Sequence, residues 1–350
     1  MDNTKKVFRA IDADGMLTYS PDLRAYLTGF PSSFGFVYTD AQESIFFTDP
    51  RYAEAAKKAL KNQFIAVEIA KNEDTVLDYI RTKKVRRLAV PCSRVTLPQE
   101  EKLRKFHFKI VDSDPAFRAA MAVKNMEELA CIRRASEIAE EAFGSLLGEL
   151  KEGMTENEVA ALLEYKMRRA GAQDRSFETI AAFGKNTSVP HHVPCGDVLC
   201  KGMPVLLDFG CRWGGYCSDI TRTFLFGKSE DADFMAAYEA VYNAHRIAAD
   251  AITSGMTGRE ADALARDSLA SRGLDKFFTH SLGHGIGINI HEFPTLGPNS
   301  HDRLNDGMVF SIEPGVYFEG KFGIRIEDSV TLSGGRVISF MHSDKKLTVL

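Results

Sequence analysis

Tryptophan occurs once in 350 residues, at position 213, and no stretch approaches the roughly 20 consecutive apolar residues a membrane-spanning helix needs. The first ten residues, MDNTKKVFRA, lack the apolar centre of a secretory leader. Six cysteines (92, 131, 195, 200, 211 and 217) form no Cys-x-x-Cys pair, and they are expected to be reduced, buried thiols of a cytoplasmic protein. No excess of positive charge is present either. A net charge of −4 and a pI near 6.2 give no reason to expect a nucleic-acid partner. What is there, 44% apolar and 26% charged residues, is an ordinary globular composition with length enough for two domains. Disorder, collagen-like repeats and a disulfide-stapled miniprotein are excluded.

The charge is unevenly divided. Residues 1–120 hold 20 basic against 16 acidic side chains, and the remainder 24 against 32. An acidic excess in the second part suits bound cations, although a solvated acidic surface gives the same count. The one basic run, Arg81–Arg87 (RTKKVRR), has no interleaved aromatics and is read as a solvated face.

Up to about residue 115, helical and extended segments alternate. RYAEAAKKALK (51–61) has helical character, and FGFVYT (34–39), SIFFT (44–48) and FIAVEIA (64–70) are expected strands of a small mixed α/β domain. Asp112-Ser113-Asp114-Pro115 is turn chemistry. A long helix is then expected from Asn125, with Glu128 completing a capping box and Leu129, Ile132, Ala135, Ala139, Ala142, Phe143 and Leu146 as its apolar stripe. The domain boundary is placed near residue 118.

The second part repeats itself. GMTENEVAALLEYKMRRAG (153–171) matches GMTGREADALARDSLASRG (255–273), and GMPVLLDFG (202–210) matches GMVFSIEPG (307–315), pairing Asp208 with Glu313. Two matches in the same order indicate a duplicated helix–strand unit about a pseudo-twofold axis, so a site built from equivalent positions would face itself across that axis. Each half also brings two carboxylates around a Gly-rich turn. A hairpin centred on Trp213-Gly214 sets Asp208 opposite Asp219, and one centred on Gly320 sets Glu313 opposite Glu327. Like charges directly opposed on strands are destabilising, and four of them together call for protons or hard cations.

HSLGHGIGINIHE (280–292) supplies His280, His284 and His291. Its glycines at 283, 285 and 287 each cost a helix about 1 kcal/mol relative to alanine, so an HExxH-type zinc helix is rejected for an extended segment that lets backbone approach a ligand. One imidazole with four carboxylates makes five ligands, suited to two divalent ions of manganese, cobalt or zinc. A thiolate cluster from cysteines 195, 200, 211 and 217 is set aside because CGDVLC and CRWGGYC lack ligand spacing.

In order, PHHVP (190–194), LLDFG (206–210), YCSDITRTF (216–224), HSLGHGIGINIHE (280–292), SIEPGVYF (311–318) and GIRIED (323–328) closely resemble the pita-bread metallopeptidases. Within them the nearest group is the Xaa-Pro aminopeptidases and Xaa-Pro dipeptidases, or prolidases. The resemblance is strong from Phe183 to Asp328 and weak over the first 115 residues. It implies an α/β (α+β) protein: a creatinase/prolidase-like α/β domain over 1–118 and a pita-bread catalytic domain over 119–350. It implies that Asp208, Asp219, His284, Glu313 and Glu327 hold two divalent ions, manganese or cobalt with zinc also compatible. His191, His280, His291 and Arg325 are then expected to line the substrate site, with Glu313 relaying a proton to the leaving nitrogen and Arg325 holding a carboxylate. The implied partners are peptides with proline second, and a second copy of the chain in a homodimer. Methionine aminopeptidases fit less well because they usually lack a domain like residues 1–115, and creatinases because they lack these ligands. An inactive pita-bread binding module is disfavoured by the complete ligand set. Some dipeptidases of the group carry an arginine after the proline of the His-Glu-x-Pro segment; here HEFPT (291–295) has Thr295, which tilts the expectation towards an aminopeptidase, although His301 or Arg303 could take that role.

Overall fold

The computed structural model describes residues 3–350. It divides into two compact units between Met121 and Ala122. Position 118 lies inside the helix Asp114–Ala122, and the Asp-Ser-Asp-Pro segment is where the strand Lys109–Asp112 hands over to that helix rather than a free turn. Asp112 Oδ1 accepts the backbone N–H of Asp114 there, at 3.0 Å. Among the described residues no helix is long and apolar enough to cross a membrane.

The first unit is a six-stranded mixed sheet in the order Ala66–Ile69, Ser44–Thr48, Phe36–Asp40, Gly15–Thr18, Arg87–Val90, Lys109–Asp112. The two pairings made by Phe36–Asp40 are antiparallel and the other three parallel. Parallel neighbours need helical crossovers, and Pro50–Ala59, Glu73–Thr82 and Leu97–Lys105 are the helices in those connections. Asp49 caps the first of these by accepting the N–H of Arg51, with Pro50 at the position where a missing N–H costs nothing. Leu17, Tyr38, Phe47, Leu77, Ile80 and Leu88 form its core.

The second unit is built twice. The helices Met126–Leu147 and Glu156–Arg169 share one apolar core with the strands Ile180–Phe183, Met203–Phe209 and Ile220–Phe226. Ala232–Ala251 and Gly258–Ala270 share another with Val309–Ile312 and Glu327–Ser333. The repeat-equivalent helices begin with the same device, a capping box of Thr155 with Glu158 and Thr257 with Glu260. All the strands join one antiparallel sheet, in which Ile220–Phe226 of the first half pairs with Glu327–Ser333 of the second at Thr221↔Glu327 and Ile220↔Asp328. Antiparallel pairing of equivalent strands is what a local twofold between the halves produces.

The registers decide how the carboxylates meet. Glu313 and Glu327 flank the hairpin that pairs Gly315 with Arg325, and Ile312 pairs with Asp328, so the register expected about Gly320 is the one observed. The other hairpin differs. Trp213 pairs with Tyr216, and Asp208 lies opposite Thr221 rather than Asp219. The turn is Gly214-Gly215, both with positive φ (58° and 84°), which a two-residue hairpin loop of this twist demands. The displacement is two residues, so Asp208 and Asp219 still share a face.

Asp219 is reached through a tight place. A Cβ on Gly210 would stand 1.9 Å from the carbonyl oxygen of Ser218. Gly210→Ala is therefore expected to push apart the segments carrying Asp208 and Asp219, at a cost of about 1–3 kcal/mol. Chemical denaturation checks this, and an unchanged midpoint would show that the strands yield freely.

All six cysteines are free, but only Cys211 and Cys217 are buried. Cys92 is exposed at a short 3₁₀ turn, and Cys131, Cys195 and Cys200 are half-buried, so general burial of the thiols does not hold. The His280–Glu292 segment is not helical: it forms the short strand Gly283–Gly285 and a series of bends before Glu292–Leu296.

Candidate metal centre and active site

Asp208, Asp219, His284, Glu313 and Glu327 line one cavity of about 1010 Å³ in the second unit, together with His191, His280, His291 and Arg325. The nine candidate residues come from both halves of the repeat, and all of them meet in this cavity.

The carboxylates share a pattern. Asp208 Oδ2 accepts from Arg325 Nη2 at 2.5 Å, and Glu327 Oε2 accepts from Thr221 Oγ1 at 2.6 Å. Their other oxygens, Asp208 Oδ1 and Glu327 Oε1, are buried with no hydrogen-bond donor among the described residues, and so is Asp219 Oδ1. Glu313 Oε1 accepts from Ser311 Oγ at 3.0 Å. His284 donates Nδ1–H to the carbonyl of Gly285 at 3.1 Å, which leaves the Nε2 lone pair 3.6 Å from Asp219 Oδ2 and 3.4 Å from Glu313 Oε1. A lone pair facing carboxylate oxygens, with buried oxygens lacking donors, is a set of acceptors with nothing to accept from. Cations satisfy it, and hard oxygens plus one imidazole are the donor set for divalent ions. The residues present therefore fit a metal centre.

The electrostatics agree. Burial, then the neighbouring charges of Glu327, Asp208 and Glu313, push Asp219 well above the usual carboxylate range. Burial with Glu313 and Asp208 does the same to Glu327. Glu313 is pushed up to about 8 by burial and Asp208, against the pull of Arg325 and its Ser311 bond. Such shifts mark a site where negative charge is uncompensated by protein alone.

Arg325 is more than a carboxylate holder. Its guanidinium is buried and forks three ways, with Nη2 to Asp208, Nη1 to Tyr317 Oη at 2.6 Å and Nε to Thr221 Oγ1 at 3.1 Å. His280 donates Nδ1–H to the carbonyl of Ser281 at 2.8 Å, so Nε2 accepts from the Tyr317 hydroxyl at 3.0 Å. A chain of donors thus runs from Arg325 through Tyr317 to His280. Burial holds Tyr317 up at about 12 and pushes His280 down to about 4, so at neutral pH the phenol is protonated and the imidazole neutral. Tyr317 and Thr221 were missed as site residues, although Tyr317 lies two places from Gly315 and four from Glu313, on the same face of an alternating strand. His291 stacks edge-on against His284 with ring centroids 4.3 Å apart, and His191 stands exposed at the cavity wall. The wall also carries apolar groups, Phe177, Pro190, Val193, Pro194 and Ile290.

Thr295 lines the cavity, whereas His301 and Arg303 do not. Arg303 Nη1 donates to the carbonyl of Gly255 at 3.0 Å, so it does not replace an arginine at 295.

Comparison with known proteins agrees with this geometry. Residues 130–333 match the model of metallopeptidase family M24, and residues 1–122 that of the creatinase/prolidase N-terminal domain. The chain is 33% identical over 318 residues to an Xaa-Pro dipeptidase of Pyrococcus furiosus, covering 91% of this chain and 90% of that one. A solved Xaa-Pro dipeptidase from Bacillus anthracis superposes with a TM-score of 0.94 at 32% identity, covering 99% of this chain and 98% of that one. An X-Pro aminopeptidase from Thermotoga maritima gives 0.91 at 32%, covering 98% and 99%. The chain belongs to the M24 metallopeptidases, with the creatinase/prolidase N-terminal domain and the pita-bread catalytic fold.

Proposed function

We propose that the protein removes the N-terminal residue from peptides whose second residue is proline, using Asp208, Asp219, His284, Glu313 and Glu327 to hold two divalent ions, manganese or cobalt. The observation that carries the reading is the acceptor set itself: anchored carboxylates whose second oxygens meet no donor among the described residues. Bound there, the ions supply Lewis acidity to the scissile carbonyl and its nucleophile. The chain's own part follows from its bonds. Glu313, lining the cavity with one oxygen fixed by Ser311, is the group placed to take a proton and pass it to the leaving nitrogen. His280, with both ring nitrogens engaged by Tyr317 and Ser281, shapes the wall that orients the substrate, and His291 and His191 orient it or meet charge developing on the carbonyl oxygen. The apolar wall beside them suits a pyrrolidine ring. The cytoplasm as compartment and a homodimer as assembly belong to the same reading.

An aminopeptidase is favoured over a dipeptidase by charge. The cavity is lined by two guanidinium groups. Arg325 is bound to Asp208 and Tyr317, and Arg175 is held by Glu164 at 3.1 Å and by Glu178. Neither is free for a carboxylate directly after proline. Peptides of three or more residues are therefore expected to be cleaved at least as well as Xaa-Pro dipeptides, in paired assays with manganese, cobalt and zinc added separately. Thr295→Arg is expected to move selectivity towards dipeptides by roughly ten- to a hundredfold in kcat/KM, the worth of one charge-assisted pair. Cleavage of dipeptides alone by the parent protein would make it a prolidase and defeat the argument from Thr295.

A further inference from the structure

A second set of ligating side chains meets the same cavity at one residue, His192. Glu156 opens the helix Glu156–Arg169 and is fully buried. Its Oε2 lies 2.6 Å from His192 Nε2 and 3.1 Å from Cys195 Sγ, and one donor atom from each residue lies within 4.8 Å of the others. His192 lines the cavity with its side chain 15% exposed, so an ion has a way in. None of the three belongs to the carboxylate–His284 cluster.

We propose that Glu156, His192 and Cys195 form a second, mononuclear metal site for a thiophilic divalent cation of the zinc class. Carboxylate, imidazole and thiolate together are a zinc-type donor set, and thiolate selects against manganese and magnesium. Three protein ligands leave the fourth tetrahedral position to water. In the metal-free state His192 and Cys195 both donate hydrogens to Glu156 Oε2, so two donor atoms already converge on the third. Zinc bonds of about 2.0 Å to N and O put those atoms roughly 3.3 Å apart, so His192 withdraws by less than an ångström. On binding, the Cys195 thiol proton is released to solvent, and His192 keeps one proton, now on Nδ1. Carboxylate and thiolate then balance the dication.

Such an ion would pin the segment that carries His191. Glu156 already grips both ends of it, accepting from the N–H of Phe183 at 2.8 Å and of Cys195 at 3.0 Å, with Asn186 Nδ2 at 3.0 Å between them. The two metal centres differ in kind, and that separates them by experiment. The larger cluster contains no sulfur ligand, so cobalt entering it produces no thiolate-to-metal charge transfer, whereas cobalt at Cys195 does.

The test is a titration of full-length, manganese-saturated protein with cobalt(II), read in the near ultraviolet and by bound-metal analysis. One further equivalent of cobalt is expected, with a sulfur charge-transfer band that Cys195→Ser removes and Cys200→Ser retains. His192→Asn is expected to weaken that equivalent at least tenfold, and it decides the matter if Cys195→Ser does not fold. Absence of the band in the parent protein, or its survival in Cys195→Ser or undiminished in His192→Asn, overturns the site. These outcomes stand apart from the peptidase reading, because neither the band nor the stoichiometry depends on turnover.

Discussion

Glu327→Gln is expected to abolish peptidase activity and, in the same protein stripped of metal, to raise the melting temperature. Ordinary active-site damage does not predict that pairing. Glu327 is buried, and Glu313 and Asp208 add to the burial in pushing its proton affinity up. Without ions the fold holds these carboxylates together at a cost, and removing one relieves it. A glutamine keeps an oxygen for Thr221 Oγ1, now 2.6 Å from Glu327 Oε2, and offers an N–H₂ where the other oxygen has no donor among the described residues. With metal the sign reverses, because the ions bind the native carboxylates and stabilise the folded state by mass action. Lewis-acid stabilisation worth several kcal/mol corresponds to a loss of about a thousandfold or more in turnover. For a unit this size each kcal/mol relieved moves the melting temperature by about 2–4 °C.

The pH dependence of the stripped protein follows from the same groups. Glu313 binds its proton more tightly folded, at about 8 against the ordinary glutamate value of 4.5. Its contribution is fully present below the unfolded value and is lost as pH rises towards 8. Chelated protein should therefore melt at progressively lower temperature between about pH 5 and pH 8, and added manganese should flatten the trend. Calorimetry with and without chelator checks both statements. Full activity in metal-free protein, or a stripped Glu327→Gln that melts below the stripped parent, would sink the assignment of Glu327 to the centre.

The sequence carries this centre legibly where its signals are local and repeated. Thr155 with Glu158 and Thr257 with Glu260 announce two equivalent helices, because a capping box is a short-range contact that four consecutive residues specify. The opposition of Glu313 to Glu327 is equally readable, since a single hairpin fixes that register. The Asp208 hairpin is harder. Its centre depends on which of Trp213, Gly214 and Gly215 take positive φ, and only the observed backbone assigns this to the two glycines. An even displacement kept the two aspartates on one face, so the site survived an error in the register that leads to it. Tyr317 illustrates the opposite case. Its phenol sits in a strand among buried apolar residues, and only the convergence of Arg325 and His280 on its oxygen distinguishes it from a core aromatic. The Glu156–His192–Cys195 group is invisible for a related reason. Glu156 is distant in sequence from the other two and reads as an ordinary first-turn carboxylate, which it also is.

Arg325→Lys is expected to cost two to three orders of magnitude in kcat/KM while charge is conserved. Lysine places one ammonium at the end of a flexible stem, and Arg325 serves three partners at once from a rigid fork: Asp208, Tyr317 and Thr221. An ammonium that stays with Asp208 releases the Tyr317 hydroxyl, and His280 then loses the donor that holds its ring. One that moves to Tyr317 leaves Asp208 Oδ2 without its anchor, and with it the aim of Oδ1 into the centre. Either way the loss is one of positioning, so it should fall on kcat more than on KM. Loss of an outer partner of a ligand typically costs 10- to 100-fold, and disturbing the Tyr317–His280 chain adds to it. In metal-stripped protein Arg325→Met, which removes the charge altogether, should instead destabilise the fold by about 3–5 kcal/mol, because the half-buried Asp208 then stands beside other carboxylates without its guanidinium partner. Denaturation of the two variants separates the effects: lysine should retain most of the stability and methionine little of the margin. Turnover by Arg325→Lys within a few-fold of the parent would show that charge alone, and not the fork, is what the site requires at this position.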